Sequence, residues 1–520
     1  MSDRAAARRG LGRQIARNSI LGLVGRVTSV LGWMLMAPWM LHQLGAERFG
    51  LWSLLSVFSS LALTFDLGLQ GALTKFVAER QDADGPRHSR VLLGMGLALY
   101  LVLGGVLLAG AVVLRQPLLD FFRIAPSMRA DAESALVIAA AATLALNLSQ
   151  YGGALLAGLQ RLDLWSQLAM AGTATQIAAT ALVLLAGGGV SQLLMVSASV
   201  NLSVAIAANL LALRLDASLV PAWSGWSRDQ WRRLGGFSLA MQVIGVGLLV
   251  QFQLDKLLFG HWVGLHAVAE YELAYRVAFG VWALPALLLP PLLPAVAHLH
   301  AVGDQQGVVP LFRRATRYVL MIALPCAAGI IALSPAVFAA WFGPGHGDAV
   351  RAAVALGAVL ATASLTGVGS AVVRGMGRPG IEAWYFVIAM AVHFPLSLWW
   401  IPRFGFEGGL WALVASGVVG PVWFIVRVHR VLGVPLAREL REQIGPPVLA
   451  SAAAGLAGGM LAHFVSGLGD GRGYRLAAMA AGGVVFVLTA AGILLAARYV
   501  TIGELRGLMA RPAIVGESPS

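Results

Sequence analysis

Apolar residues in this chain come in runs of about twenty, separated by short stretches that hold nearly all of the arginines and acids. A run of that length is what an α-helix needs to cross about 30 Å of hydrocarbon at about 1.5 Å per residue. Spans are predicted near 19–41, 50–73, 91–114, 132–157, 164–187, 190–213, 235–259, 268–296, 317–342, 350–373, 381–401, 408–428, 447–465 and 474–497. The expected fold is an all-α polytopic membrane protein of about fourteen transmembrane helices. The first run, Ser19 to Leu41, is too long for a signal-peptide core and has no small-residue cleavage site after it, so it reads as a retained span.

Charge sharpens the topology. With the N-terminus in the cytoplasm, about 26 basic residues fall on the inner side, 8 on the outer side and 3 within spans. One misplaced span would scramble that bias, so length and charge support the same span count. Both termini are then cytoplasmic. The net charge of +13 follows from the same bias, and no polar domain carries a basic cluster, which argues against a nucleic-acid partner. The one cysteine, Cys326, lies in an apolar run and excludes both a disulfide and a thiolate metal site.

The connections are short. The longest outer one, Arg115 to Asp131, has room for one amphipathic turn but not for a catalytic domain. The longest inner one, Arg214 to Leu234, places Trp223, Trp226 and Trp231 beside Arg228, Arg232 and Arg233. Such segments lie in the headgroup region, so this one reads as an interfacial linker between halves. The organisation expected is a basic N-terminus (1–18), a six-helix lobe (19–213), the linker (214–234), a second six-helix lobe (235–428), two further helices (447–497) and a tail (498–520). A repeat supports the halves: Gly158-Leu-Gln-Arg161 with Trp165, and Gly375-Met-Gly-Arg378 with Trp384, each stand at the fourth-to-fifth junction of their half.

Leu44-Gly-Ala-Glu-Arg-Phe-Gly-Leu-Trp52 and Asp66-Leu-Gly-Leu-Gln-Gly-Ala-Leu-Thr-Lys-Phe-Val-Ala-Glu79 resemble the start of polysaccharide-biosynthesis flippases. These are the Wzx-type oligosaccharide-lipid translocators of the multidrug/oligosaccharidyl-lipid/polysaccharide exporter superfamily. Ala157-Gly-Leu-Gln-Arg-Leu-Asp163, Gln253-Leu-Asp-Lys-Leu-Leu258 and Glu270-Tyr-Glu-Leu-Ala-Tyr-Arg276 extend the likeness over nearly the whole chain. The resemblance implies two six-helix bundles in a V that alternate access to a central cavity in the bacterial inner membrane. The cargo implied is an oligosaccharide on undecaprenyl diphosphate, carried from the cytosolic to the periplasmic leaflet for O-antigen (lipopolysaccharide), capsule or exopolysaccharide assembly. Other polysaccharide assembly proteins are further partners it suggests; no cofactor is expected.

A diphosphate with sugars needs a polar, cation-bearing path, and arginine suits it because its planar fork donates paired hydrogen bonds and stays charged. Ionisable groups inside spans are costly and so are candidates for function. Three cations qualify: Arg26, about seven residues into the first span; Arg276, about eight residues into the eighth; and Lys256. In the flippases resembled, arginines of the first and eighth spans are thought to meet the diphosphate, which puts Arg26 and Arg276 first. Three acids answer them. Asp66 lies at about the depth of Arg26, Asp255 adjoins Lys256, and Glu272 stands i, i+4 before Arg276 in the favourable order for a helical pair. Diphosphate binding and plain ion pairing are both open at these positions.

His393, in the middle of the eleventh span, is a candidate proton carrier or a hydrogen-bonded packing residue. Asn147, Gln150, Gln176, Asn201 and Gln242 could line a sugar path or bridge helices. Pro285, Pro290, Pro291 and Pro294 crowd the eighth span and predict a kink there. A membrane glycosyltransferase, polymerase or ligase would need a long outer loop of clustered acids, arginines or histidines, which is missing, so the chain reads as a carrier and not an enzyme. A cation-coupled multidrug exporter is the alternative, but the first span carries no acid. A lipid II flippase would need more cations in the first lobe than Arg26.

Overall fold

A computed structural model describes residues 29, 32–65, 69–79, 85–228, 239–501 and 503–504. Among them the secondary structure is helical and no strand occurs. Residues 32–44 form α1. There follow α2 (Ala46–Phe65), α3 (Leu69–Glu79), α4 (Gly85–Val113), α5 (Arg115–Phe121), α6 (Arg129–Gly158), α7 (Leu162–Leu185), α8 (Val190–Leu215) and α9 (Leu239–Trp262). Then come α10 (Leu265–Ala286), α11 (Leu292–Ala301), α12 (Gln305–Trp341), α13 (Gly347–Gly375), α14 (Gly380–Phe404) and α15 (Phe406–Leu432). A helical turn at Leu436–Glu439 and a π turn at Leu440–Ile444 lead into α16 (Gly445–Ser466), and α17 (Arg472–Ala496) follows. Eleven helices among the described residues are long and apolar enough to cross a membrane. They match the third to seventh and ninth to fourteenth spans expected, so the chain is an all-α multi-pass membrane protein.

The eighth expected span is not one helix. The stretch 268–296 is divided between α10 and α11, with turns over 287–291. Pro290 and Pro291 have no N–H, and the remaining donors turn to nearer carbonyls: Leu287 to Leu284 at 3.3 Å, Leu288 to Pro285 at 3.1 Å and Leu292 to Leu289 at 3.0 Å. The prolines thus end the helix without leaving those N–H groups bare. Of the second span, expected over 50–73, the described residues lie in α2, up to Phe65, and in α3, from Leu69.

The chain packs as two compact units, Met1–Ala269 and Glu270–Ser520. This grouping takes α9, which the sequence reading placed with the C-terminal half, into the first unit, where it packs on α2. In the first unit α6 packs against α2, α3, α4 and α8. Around it Tyr100, Tyr151, Leu73, Leu93 and Leu156 form the buried core. In the second unit α13 takes the corresponding place against α11, α12 and α15. The two additional helices cross at glycines, where a methyl on Gly458 would stand 2.7 Å from the Gly482 carbonyl oxygen. Such close approach is how helices gain contact where lipid is as apolar as leucine.

The repeat read from sequence is also a structural repeat. After α6, Gln160 turns left-handed (φ 59°) and Arg161 N–H closes on the Leu156 carbonyl at 2.8 Å. After α13, Gly377 does the same (φ 70°) and Arg378 N–H closes on Val373 at 2.8 Å. Gly158 lets α6 lie on α3, since a methyl there would meet Val77 and come within 2.9 Å of the Thr74 carbonyl oxygen. Gly375 lets α13 lie on α11, since a methyl there would stand 2.8 Å from Val296. Each half therefore rests its fourth helix on a short helix, α3 in one and α11 in the other.

The segment after α8 runs along the start of α4. Ala222 N–H donates to the Arg90 carbonyl and Arg90 Nε donates to the Val220 carbonyl, both at 2.9 Å. Trp223 and Trp226 are exposed there. Trp231, Arg232 and Arg233 lie outside the described residues.

Alanine at Gly158 or Gly375 should destabilise the protein by about 1–3 kcal/mol, because the neighbour met is another helix. Alanine at Gly105, where no atom lies within reach of the new methyl, should be neutral or stabilising by up to about 1 kcal/mol. Thermal unfolding of the three variants in detergent is the measurement that checks the contrast.

Candidate functional site

Buried charged groups gather on α9 and on α10. On α9, Gln251, Gln253, Asp255 and Lys256 are all buried in the first unit. Asp255 and Lys256, neighbours in sequence, each interact with surrounding groups. An ammonium and a carboxylate at this depth are kept only where other polar groups meet them.

On α10 the second unit brings together Glu272 and Arg276. Arg276 Nε donates to Glu272 Oε1 at 2.7 Å, and Glu272 is the more buried of the two. The i, i+4 pair expected from sequence is therefore formed. At about 100° per residue, Glu272, Tyr275, Arg276, Phe279 and Trp282 fall within roughly 120° of the helix surface. Tyr275 stacks on Phe279 with ring centroids 4.2 Å apart, and Phe279 meets Trp282 edge-on at 6.1 Å. Tyr275, Arg276, Phe279 and Trp282 are half-buried, whereas Tyr271, Leu273, Ala274, Val277 and Ala278 are fully covered. This helix thus presents one partly open face made of a guanidinium and three aromatic rings. Such a face can bind an oxyanion and stack on a ring or sugar beside it.

Glu270, two residues before Glu272, was not singled out in sequence as a site residue. Its Oε2 accepts the Ala349 N–H at 3.0 Å in the first turn of α13, and its Oε1 lies 2.7 Å from His346 Nδ1. A carboxylate at a helix N-terminus is favoured by the unpaired N–H groups there. The signal available was an acid two residues before Glu272, near the edge of a span.

Arg26 and Asp66 lie outside the described residues. His393 is buried on α14, 2.9 Å from Ser416 Oγ of α15. This contact ties α14 to α15, and Ser416 Oγ also lies 2.9 Å from the Leu413 carbonyl oxygen. Gln176 Nε2 donates to Ser197 Oγ at 2.5 Å and bridges α7 to α8. Two arginine–acid pairs mark the fourth-to-fifth junctions. Arg161 meets Asp163 through two bonds of 3.1 and 3.2 Å. Arg374 meets the buried Glu382 through two of 2.5 and 2.7 Å.

A profile of the polysaccharide biosynthesis protein family matches residues 15–296, just over half of the chain. No curated protein matches the sequence. Among solved structures, the lipid II flippase MurJ in an inward closed conformation is similar in fold. It has a TM-score of 0.65 and 12% identity, covering 92% of this chain and 99% of that one. An inward-facing multidrug resistance MATE family transporter of the MOP superfamily gives a TM-score of 0.63 and 14% identity over 80% of this chain and 98% of that one. An outward-facing one gives 0.58 and 15% over 81% and 95%. At these identities the likeness is one of fold, and the folds are those of transporters and flippases.

Replacing Arg276 with glutamine should cost about 3 kcal/mol of stability or more, because the buried Glu272 carboxylate is left without its counter-charge. Adding Glu272→Gln should restore most of that loss. A double-mutant cycle by thermal unfolding measures the coupling, and additive losses would show that the pair contributes nothing as a unit.

Proposed function

This chain belongs to the polysaccharide biosynthesis protein family, and we propose that it is a flippase for undecaprenyl-diphosphate-linked oligosaccharide. It moves the unit from the cytosolic to the periplasmic leaflet of the bacterial inner membrane by alternating access between two six-helix lobes, with both termini in the cytoplasm. The product feeds O-antigen, capsule or exopolysaccharide assembly. The observation that carries this reading is the half-open face of α10. There Arg276 supplies the forked cation a diphosphate needs, and Tyr275, Phe279 and Trp282 supply surfaces on which sugars stack. Arg26 and Lys256 are the further cations assigned to the diphosphate. Asp66, Asp255 and Glu272 are the carboxylates that hold those cations when no substrate is bound, and His393 is the candidate for a coupling proton.

On this reading Arg276 exchanges one anion for another. In the empty carrier it is held by Glu272, and a diphosphate oxygen takes the place of the carboxylate on binding. Neither state leaves a bare guanidinium in the hydrocarbon, where its cost would be several kcal/mol.

A second reading, a cation-coupled multidrug exporter, is favoured by one observation. The buried acids Asp255, Glu270 and Glu272 are the kind of groups that hold a cationic drug or a coupling ion. The two readings separate in a strain lacking the gene. Lipid-linked oligosaccharide should collect on the cytosolic leaflet, and wild type should clear it. Arg276→Ala and Arg26→Ala should each lower clearance at least about tenfold, while Arg276→Lys keeps part of it. Unchanged lipid intermediates together with raised drug sensitivity would establish the exporter instead.

A further inference from the structure

Beyond the spans, the second unit holds a basic recess apart from the face of α10 described above. Pro310, Arg313, Arg314, Arg317 and Tyr318 fall within roughly 140° of one side of α12. With Gln443 of the π turn and Glu504 beyond α17 they enclose about 340 Å³. Two of the arginines are fixed from behind. Arg313 Nε lies 2.6 Å from Glu439, a carboxylate almost fully buried, and Arg317 Nη2 donates to Glu504 at 2.5 Å. The Thr501 N–H, and then Arg317, hold the Glu504 carboxyl below the ordinary carboxylate range, so this clasp is charged at neutral pH.

Arg314 is the surplus charge. It is exposed, lies 5.7 Å over the Tyr318 ring, and has no carboxylate partner among the described residues. Arg317 Nε and Gln443 Oε1 are enclosed at the same place and meet no hydrogen-bond partner. The recess therefore offers the uncompensated Arg314 cation, the unused Nε donor of Arg317 and the Gln443 amide.

Its depth narrows the ligand. From Val319 to Trp341 α12 carries no charged residue, and those residues span roughly 35 Å, enough for the hydrocarbon core. Arg313 to Tyr318 then stand at the level of lipid headgroups, where tyrosine and arginine are at home. The same end of this unit (304–318, 374–382, 427–445 and 497–504) has ten arginines against five acids. The opposite end (342–351, 402–407 and 466–475) has four against three. By the positive-inside rule the recess faces the cytosolic leaflet.

We propose that this recess binds the phosphate of an anionic phospholipid of the cytosolic leaflet. Arg314 and Arg317 donate to the phosphate oxygens, and the Gln443 amide donates from its nitrogen once the phosphate is seated. Tyr318 floors the Arg314 guanidinium. Basic pockets between helices on this side of a membrane suit such headgroups. The lipid fastens the start of α12 to the π turn and to the end of the described chain, and it is independent of the cargo assigned above.

The test is native mass spectrometry of the full chain, titrated with phosphatidylglycerol against a phosphatidylcholine background. Wild type should retain phosphatidylglycerol, and Arg314→Ala should weaken that retention about tenfold. Arg314→Lys, which keeps the charge but loses the fork, should fall between. Arg472→Ala, the same charge change at the opposite end of the unit, should match wild type. Equal retention by Arg314→Ala and wild type would overturn the site. Displacement by millimolar inorganic phosphate, with no preference for the lipid, would overturn the lipid assignment in favour of a soluble anion.

Discussion

Inside a bilayer there is no water to take up an unused N–H or carbonyl, and most of this structure follows from that shortage. Each span closes its own ladder, and the small polar side chains do the same. Thr143 donates to Ala139, Thr173 to Ala169, Ser203 to Ser199 and Ser364 to Leu360, each back to the preceding turn. Where the ladder must stop, residues that lack a donor stop it. At 287–291 two prolines remove N–H groups, and the leucines around them find carbonyls three residues back. Packing between helices then rests on close approach, which explains why the fourth helix of each half carries a glycine where it crosses its short neighbour.

Charge obeys the same shortage more severely. Glu272 is met by Arg276, Glu382 by Arg374, and Glu270 by a helix N-terminus and His346. On the flippase reading, such pairs hold their cations in reserve. On that reading an arginine already paired inside the protein would bind a phosphate by trading partners, so the electrostatic gain would be the difference between two anions and not the whole attraction. The basic recess on α12 is built the other way. Among the described residues Arg314 has no carboxylate to trade, and at the headgroup level inferred for it a standing cation costs little.

Span positions were legible because length and arginine bias report on the same membrane, and the Gly-x-x-Arg repeat marked the matching junctions. The break in the eighth span was half legible: its prolines predicted a kink, but hydropathy ran on through 287–291 because leucines fill the turns between them. Glu272 with Arg276 was readable from i, i+4 spacing. Glu270 with His346 was not, since the partners are far apart in sequence and meet only when α10 packs beside the start of α13. The arginines of α12 counted only as part of the inner surplus, because Glu439 and Glu504, which orient them, arrive from two later segments.

The two junctions show what maintains the repeat. The left-handed position holds glycine in one half, Gly377, but glutamine in the other, Gln160. A non-glycine residue there costs on the order of 1 kcal/mol, so local preference does not explain why both turns form. What the halves share is the pair of residues around that position. The glycine before it admits the short helix, and the N–H of the arginine after it closes the last turn of the fourth helix. Packing on one side and a saturated carbonyl on the other leave the chain one way out, whichever residue occupies the bend. The carboxylates that accompany these turns also differ in place. Asp163 lies two residues beyond Arg161, whereas Glu382 reaches back to Arg374 before the turn. A repeat held by backbone closure and helix contact leaves its side-chain pairs free to differ, so the two halves of one carrier can keep the same frame and line it with different charges.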